Sequence, residues 1–296
     1  MPDFVDTHFH IWDLEANYYP WLTDKVQPRV IGDYAAIRKD YLIDDFLADA
    51  EGTGVVKAVH IQAEHDPSDP VRETRWLQGV ADDPRSRGFP QGIVAYADLG
   101  ADNAEEILAG HCAFANMRGI RQSLIQHKVD PAAKDPRESP TWASNFRLMR
   151  KYDLSFDIQL FHPDMAFGAE LVGKQADVQF ILTHTGLPME RHDADYMESW
   201  RRGMRLLAER PNLACKISGF GFLDRAWTED SIRSLVLETI DIFGTDRCMF
   251  ASNFPVDGMS TGYKAFWRAF DGITRGFSDS ERGAMFRANA ERIYRV

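Results

Sequence analysis

His8 and His10 stand one residue apart at the end of an apolar run, FVDTHFH (residues 4–10). In an extended strand, residues i and i+2 face the same side, so both imidazoles project together. Two histidines converging in this way suit either a shared metal ion or a hydrogen-bonding pair around a carbonyl oxygen. A third histidine, His184, closes the run VQFILTH (178–184), and Asn253 closes CMFASN (248–253). Other apolar runs also end in polar groups: Gln62 and Glu64, Arg121 with Gln122, Gln159, and Lys216. Arg118 and Arg121 differ in parity, so only one of them faces inward, and Arg121 lies nearer the run's C-terminal end. Its fork of donors suits an anionic or polyhydroxylated ligand.

These residues need a scaffold that gathers strand ends. Eight β-type runs span 4–10, 55–64, 92–99, 117–124, 154–160, 178–184, 213–218 and 248–253. Their starts are spaced from 24 residues (154 to 178) to 51 (4 to 55), enough for a strand, a crossover helix and two loops. Helical patterns fall between them, at 70–82, 103–111 and 231–243, and a last one at 278–294 opens with the capping-box spelling SDSE. Eight alternating units with no compositional break predict a single (β/α)8 TIM barrel over 1–296, with function at the C-terminal strand ends. A doubly wound open sheet is the alternative, weakened because no glycine-rich phosphate loop follows any strand.

The 296-residue composition narrows the function classes. At 44% hydrophobic and 12% aromatic, the chain can build a large core, which excludes disorder as the main state. A formal charge of −11 argues against nucleic acid and anionic membranes as partners and leaves a small molecule. No 18-residue apolar run and no signal-peptide pattern is visible. Cys112, Cys215 and Cys248 lack any CxxC spacing and read as reduced thiols of a cytoplasmic protein. Aromatic residues in the late helices, if exposed, would permit a homodimer.

The stretches VDTHFHIWD, YYPWL, ETRWL, MRGIRQ, LSFDIQL, HTGLP, ASNFPVD and ANAERIYRV are spread from Val5 to Val296. Together they resemble the amidohydrolase superfamily, in the amidohydrolase-related branch that hydrolyses sugar lactones and 2-pyrone-4,6-dicarboxylate. The resemblance implies a barrel hydrolase, with or without metal. Two departures stand out. The fifth run, LSFDIQL, lacks the usual histidine, and His162 follows it in a loop. Asn253 stands where an aspartate usually ligates metal or activates water, and an amide does neither at neutral pH. No cofactor is therefore favoured; a single zinc on His8, His10 and His184 is the alternative.

The chemistry this implies is lactone opening. His8 and His10 would donate to the developing oxyanion, His184 would orient or deprotonate water, and Asn253 would position it. Gln62, Arg121, Gln159 and Lys216 would hold the substrate, Tyr19 and Trp21 (with Tyr18) would wall the ring, and Arg191 would reach in from a later loop. Two competing functions remain: a decarboxylase or hydratase of the same superfamily, and a binding protein that has lost catalysis.

Overall fold

The eight runs form one parallel sheet whose strands are ordered as in the chain. These are β1 (Phe4–Phe9), β2 (Val55–Ile61), β3 (Gly92–Ala95), β4 (Met117–Ile120), β5 (Ser155–Ile158), β6 (Phe180–Leu182), β7 (Leu213–Ile217) and β8 (Cys248–Phe250). A computed structural model describes residues 1–296. The barrel closes beyond the end of β8, where His10 N donates to Phe254 O and Asn253 N to His8 O, both at 2.7 Å. Phe9 and Phe254 form the parallel bridge of that seam. The TIM-barrel expectation is therefore met.

Most strands stop short of the apolar runs that encode them. The runs 55–64, 178–184 and 248–253 leave the ladder at Ile61, Leu182 and Phe250. The physical reason is a change of backbone region: Glu64, His184 and Asn253 have φ of 58°, 52° and 55°. Non-glycine residues seldom adopt left-handed backbone, and each bends its chain out of the sheet at the barrel mouth. The helices run close to expectation, over Pro70–Asp82, Ala104–His111 and Glu229–Phe243. The final pattern splits into Asp279–Gly283, a π-helical turn and Asn289–Tyr294.

A bulge in β1 sets which residues look inward. Asp6 pairs with Ala58 and Phe9 with His60, so three steps on β1 face two on β2. One extra residue reverses the side-chain phase along a strand. Before it, Val5 joins the apolar barrel interior and Phe4 stacks outward on Trp267. After it, Phe9 faces outward against Phe46, while His8 and His10 turn toward the mouth.

The barrel interior is an apolar layer of Val5, Val59, Ile61, Val94, Ile181 and Met249, plugged by Ile293 and Tyr294 of the terminal helix. The outer layer packs between strands and helices. Phe266, Trp267 and Phe270 of helix Tyr263–Ile273, and Phe286 after it, are all buried there. The late-helix aromatics are thus core, not exposed, because they cover the outside of the sheet; they offer no dimer surface. No helix is long and apolar enough to cross a membrane.

Candidate active site

Three imidazoles meet at the mouth. The His8 ring centroid lies 5.0 Å from that of His10 and 4.5 Å from that of His184. All three are buried. Burial above all holds each well below the usual histidine range, helped by His184 and Lys216 at His8, by Arg121 and His60 at His10, and by Arg121 and Lys216 at His184. They are therefore neutral at pH 7. His184, expected to orient or deprotonate water, is thereby left a weak base for that role.

Their bonds settle what each can do. His10 Nδ1 lies 2.7 Å from the Ile61 carbonyl, which only accepts, so Nδ1 carries the proton and Nε2 presents a lone pair. His8 Nε2 faces Arg121 Nη1 at 3.5 Å and accepts, which puts the proton on Nδ1; that atom is buried without a partner. His184 Nδ1 lies 3.0 Å from Ser218 Oγ. His10 is accordingly an acceptor at the mouth, not the oxyanion donor expected from sequence, whereas His8 has its Nε2 taken by Arg121 and only the buried Nδ1–H left to donate. The donor there is Arg121, whose Nη2 is anchored on Gln62 O at 2.6 Å.

Asn253 is held by Asp257, four residues further on and past a proline. The chain beyond Pro255 folds back, and Asn253 Nδ2 donates to Asp257 Oδ1 at 2.8 Å. That turns the amide's carbonyl oxygen away from Asp257 as a free acceptor. Asp257 also accepts from the backbone of Gly221 and Phe222, and burial raises its pKa to about 7. It is fully buried behind Asn253.

A cleft opens over this floor. His10, His184, Asn253, Arg121, Gln159 and Trp21 line it. Four sequence-predicted binding residues do not. Tyr19 is fully buried and packs edge-on to His65 at 5.3 Å, so it fastens its loop to the barrel. Lys216 is fully buried in an ion pair with Asp157 at 2.6 Å. Arg191 pairs with Asp224 on the wall of a separate outer cavity. Gln62 faces a cavity adjoining the cleft, its Oε1 accepting from Glu64 N. Tyr18 is exposed and bonds Asp24. His162 sits in a turn, bonded to Ser199, and does not replace the absent fifth-strand histidine.

Sequence reasoning missed Trp12, Arg29, Gln126 and Phe222 in the lining, and gave Glu64 no role. Arg29 lies in an irregular segment with no periodicity, so no sequence signal could have found it. Trp12 sits two residues beyond the HxH pair on the same parity, a usable hint.

A zinc ion fits this donor set poorly. His8 Nε2 already faces a guanidinium, and Lys216 lies buried near enough to bear on the same rings. The acids nearby are committed: Glu64 to Arg29, and Asp257 behind Asn253. No three His, Cys, Asp or Glu side chains are disposed to hold a metal. A dication needs anionic or open neutral ligands, and here fixed cations face them.

Comparison with known proteins places the chain. It is 49% identical over 296 residues to a protein designated y4mH of Sinorhizobium fredii, covering 99% of this chain and 98% of that one. It is 25% identical to an L-fucono-1,5-lactonase of Burkholderia multivorans, over 98% of this chain and 95% of the other. Among solved structures, an amidohydrolase of Burkholderia multivorans superposes with TM-scores of 0.82 (with bound HEPES) and 0.81 (with bound zinc), each at 22% identity over 99% of both chains. A probable 2-pyrone-4,6-dicarboxylic acid hydrolase of Acinetobacter baumannii follows at TM-score 0.72 and 14% identity, over 99% of this chain and all of that one. The profile of the amidohydrolase family matches residues 5–296, and with it the chain, from its HxH strand to its terminal helix, belongs to that family.

Proposed function

We propose that the protein is a lactonase that opens a sugar-acid or carboxylated lactone by water attack, without a resident metal. The observation that carries this reading is the cluster of three neutral imidazoles beside a buried guanidinium at the floor of the cleft. Arg121 donates to the lactone carbonyl oxygen and stabilises the negative charge that grows there. His10 Nε2, its tautomer fixed by the Ile61 carbonyl, takes one proton of the attacking water. The Asn253 carbonyl oxygen accepts from the other O–H and aims the water, and His184 completes the polar floor. Water oxygen bonds to the carbonyl carbon, the ring C–O bond breaks, and the ring oxygen leaves with the proton held on His10. A hydroxy acid results, and its carboxylic proton passes to solvent.

A lone imidazole of lowered pKa is a weak base, which suits an activated ester better than an amide. The distant L-fucono-1,5-lactonase relative supports lactone chemistry and a carbohydrate substrate. The zinc bound by the Burkholderia neighbour belongs to that protein; here the Arg121–His8 contact favours a metal-free route. The three free cysteines, two of them buried, are consistent with a cytoplasmic enzyme acting on a small molecule.

The test is acid release from a panel of lactones, followed with a pH indicator, with and without a chelator. Release that survives chelation is expected. Release abolished by chelation and restored by zinc would overturn the metal-free route, and no release at all would overturn the lactonase.

A further inference from the structure

Within residues 24–33 the chain leaves the barrel and crosses the mouth, bringing Arg29, Val30 and Ile31 into the cleft wall. Several elements hold it there. Arg225 Nη2 donates to Ile31 O at 3.0 Å and Asp33 O at 2.8 Å, and Gln126 Nε2 donates to Pro28 O at 3.2 Å. Arg29 is therefore delivered in a fixed position. Its guanidinium lies 4.9 Å over the Trp21 ring, and its Nη1 donates to the Glu64 carboxylate. Its Nε is buried and has no partner, although the side chain is 11% exposed. Glu64, in left-handed backbone beyond β2, is 35% exposed at the side chain, so its carboxylate can be reached from the cleft. Both residues form the wall shared by the cleft and the cavity beside it.

Resting on the lactonase reading, we infer that Arg29 and Glu64 read two neighbouring hydroxyls of an uncharged, polyhydroxylated lactone whose ring lies against Trp21. The two charges cancel, and Arg121, the other arginine of the cleft, is committed to Gln62 O and the reacting carbonyl. What remains on the wall is a strong donor beside a strong acceptor, next to an aromatic face. A hydroxyl both donates and accepts, so a diol satisfies the pair: one O–H donates to Glu64 and the neighbouring oxygen accepts from the Arg29 guanidinium. A carboxylate at the same place would meet Glu64 and be repelled. Arg29 and Glu64 are thus specificity-determining residues, and the preferred substrates are aldonolactones over lactones bearing a second carboxylate.

The experiment measures kcat/KM on D-glucono-1,5-lactone, on δ-valerolactone (the same ring without hydroxyls) and on 2-pyrone-4,6-dicarboxylate. Wild type is expected to prefer the hydroxylated ring. Glu64→Gln and Arg29→Lys are each expected to lower the hydroxylated-to-plain ratio roughly 10- to 100-fold, mostly through KM, as for charge-assisted hydrogen bonds. A ratio that does not move, or a wild-type preference for the dicarboxylate, overturns the inference. If wild type opens none of the three, the lactonase reading fails separately, and tryptophan fluorescence titration with gluconolactone then decides this one. Binding that Glu64→Gln weakens supports the diol-reading pair, and no binding overturns it.

Discussion

Two buried polar clusters lie a few residues apart in this barrel, and they are built on opposite rules. Inside the barrel, Asp157 of β5 accepts from Lys216 Nζ at 2.6 Å and from the Tyr294 hydroxyl at 2.8 and 3.0 Å. Asp6 of β1 likewise accepts from the backbone of His8 and Ser252, from Ser252 Oγ at 2.6 Å, and from Tyr263 at 3.0 Å. Both carboxylates are fully occupied. At the mouth, by contrast, His8 Nδ1 has no partner, His10 keeps a bare Nε2, and the Asn253 carbonyl oxygen is unclaimed. Of these, His8 Nδ1 is buried, while His10 and Asn253 line the cleft, where a ligand can supply the missing bonds. The saturated cluster holds the barrel together; the unsaturated one is kept ready for chemistry.

The sharpest way to break this contrast is at the mouth. His10→Asn is expected to lower kcat/KM by about 10²- to 10⁴-fold, the usual loss of a general base, with a thermal midpoint near that of wild type. A variant that instead unfolds early while keeping its turnover would put His10 with the structural cluster.

Next comes the saturated pair. Lys216→Met leaves the Asp157 carboxylate buried and without its cation, which costs about 3–5 kcal/mol in denaturant unfolding. The double variant Lys216→Met/Asp157→Leu is expected to regain most of that loss, because replacing both partners removes the unpaired charge. Failure to regain it would show that the pair does more than hold the interior.

Tyr294→Phe removes one hydroxyl from Asp157 and leaves the ring as the barrel plug. Its expected cost is about 1.5–3 kcal/mol in the same unfolding experiment, that of one hydrogen bond to a charged group.

The smallest effect is on pH. In the proposed lactonase, catalysis needs neutral imidazoles, and burial with the Arg121 charge, and for His8 and His184 the Lys216 charge, depresses their pKa values, so the acid limb of kcat/KM is expected below pH 6.5. The Lys216→Met/Asp157→Leu protein has lost one of those cations, and its limb is expected to move up by a fraction of a unit. The linkage for stability has the same origin. The folded state refuses protons that the unfolded histidines bind once pH falls below 6.5, so these groups weaken the fold on acidification. Asp6, raised to about 6 by burial, acts oppositely: its folded form binds the proton first, so its contribution favours folding as pH falls toward 4. Unfolding curves of Asp6→Asn against wild type across pH 4–6 check that sign, with the gap between them widening toward pH 4.

Much of this was legible in the residues. Eight apolar runs at crossover spacing are enough to specify a barrel, because strands buried on both faces must be continuously apolar and parallel neighbours need a helix between them. His8, His10, His184 and Asn253 were readable as a group because a barrel gathers its strand ends at one rim. Parity separated Arg121 from Arg118, and Arg121's place nearer the run's C-terminal end chose between them; Arg118 does turn away to bond the Arg295 carbonyl.

Tertiary structure alone decided the rest. The bulge between Asp6 and Phe9 sets the phase of β1, and nothing in FVDTHF announces an extra residue there, since either phase leaves an apolar residue facing a core. Lys216 lies on an inward strand position yet meets an internal partner before any ligand, a matter of depth along the strand that parity does not encode, and Gln62, just beyond β2, bonds its own turn. Arg29 reaches the cleft because an aperiodic segment folds across it and is pinned by residues nearly 200 positions away. The tautomers that make His10 an acceptor rest on a carbonyl of another strand. Local patterning determines elements and their faces because it acts over a few residues; the site's donors and acceptors are settled by contacts between distant segments, which exist only once the barrel has closed.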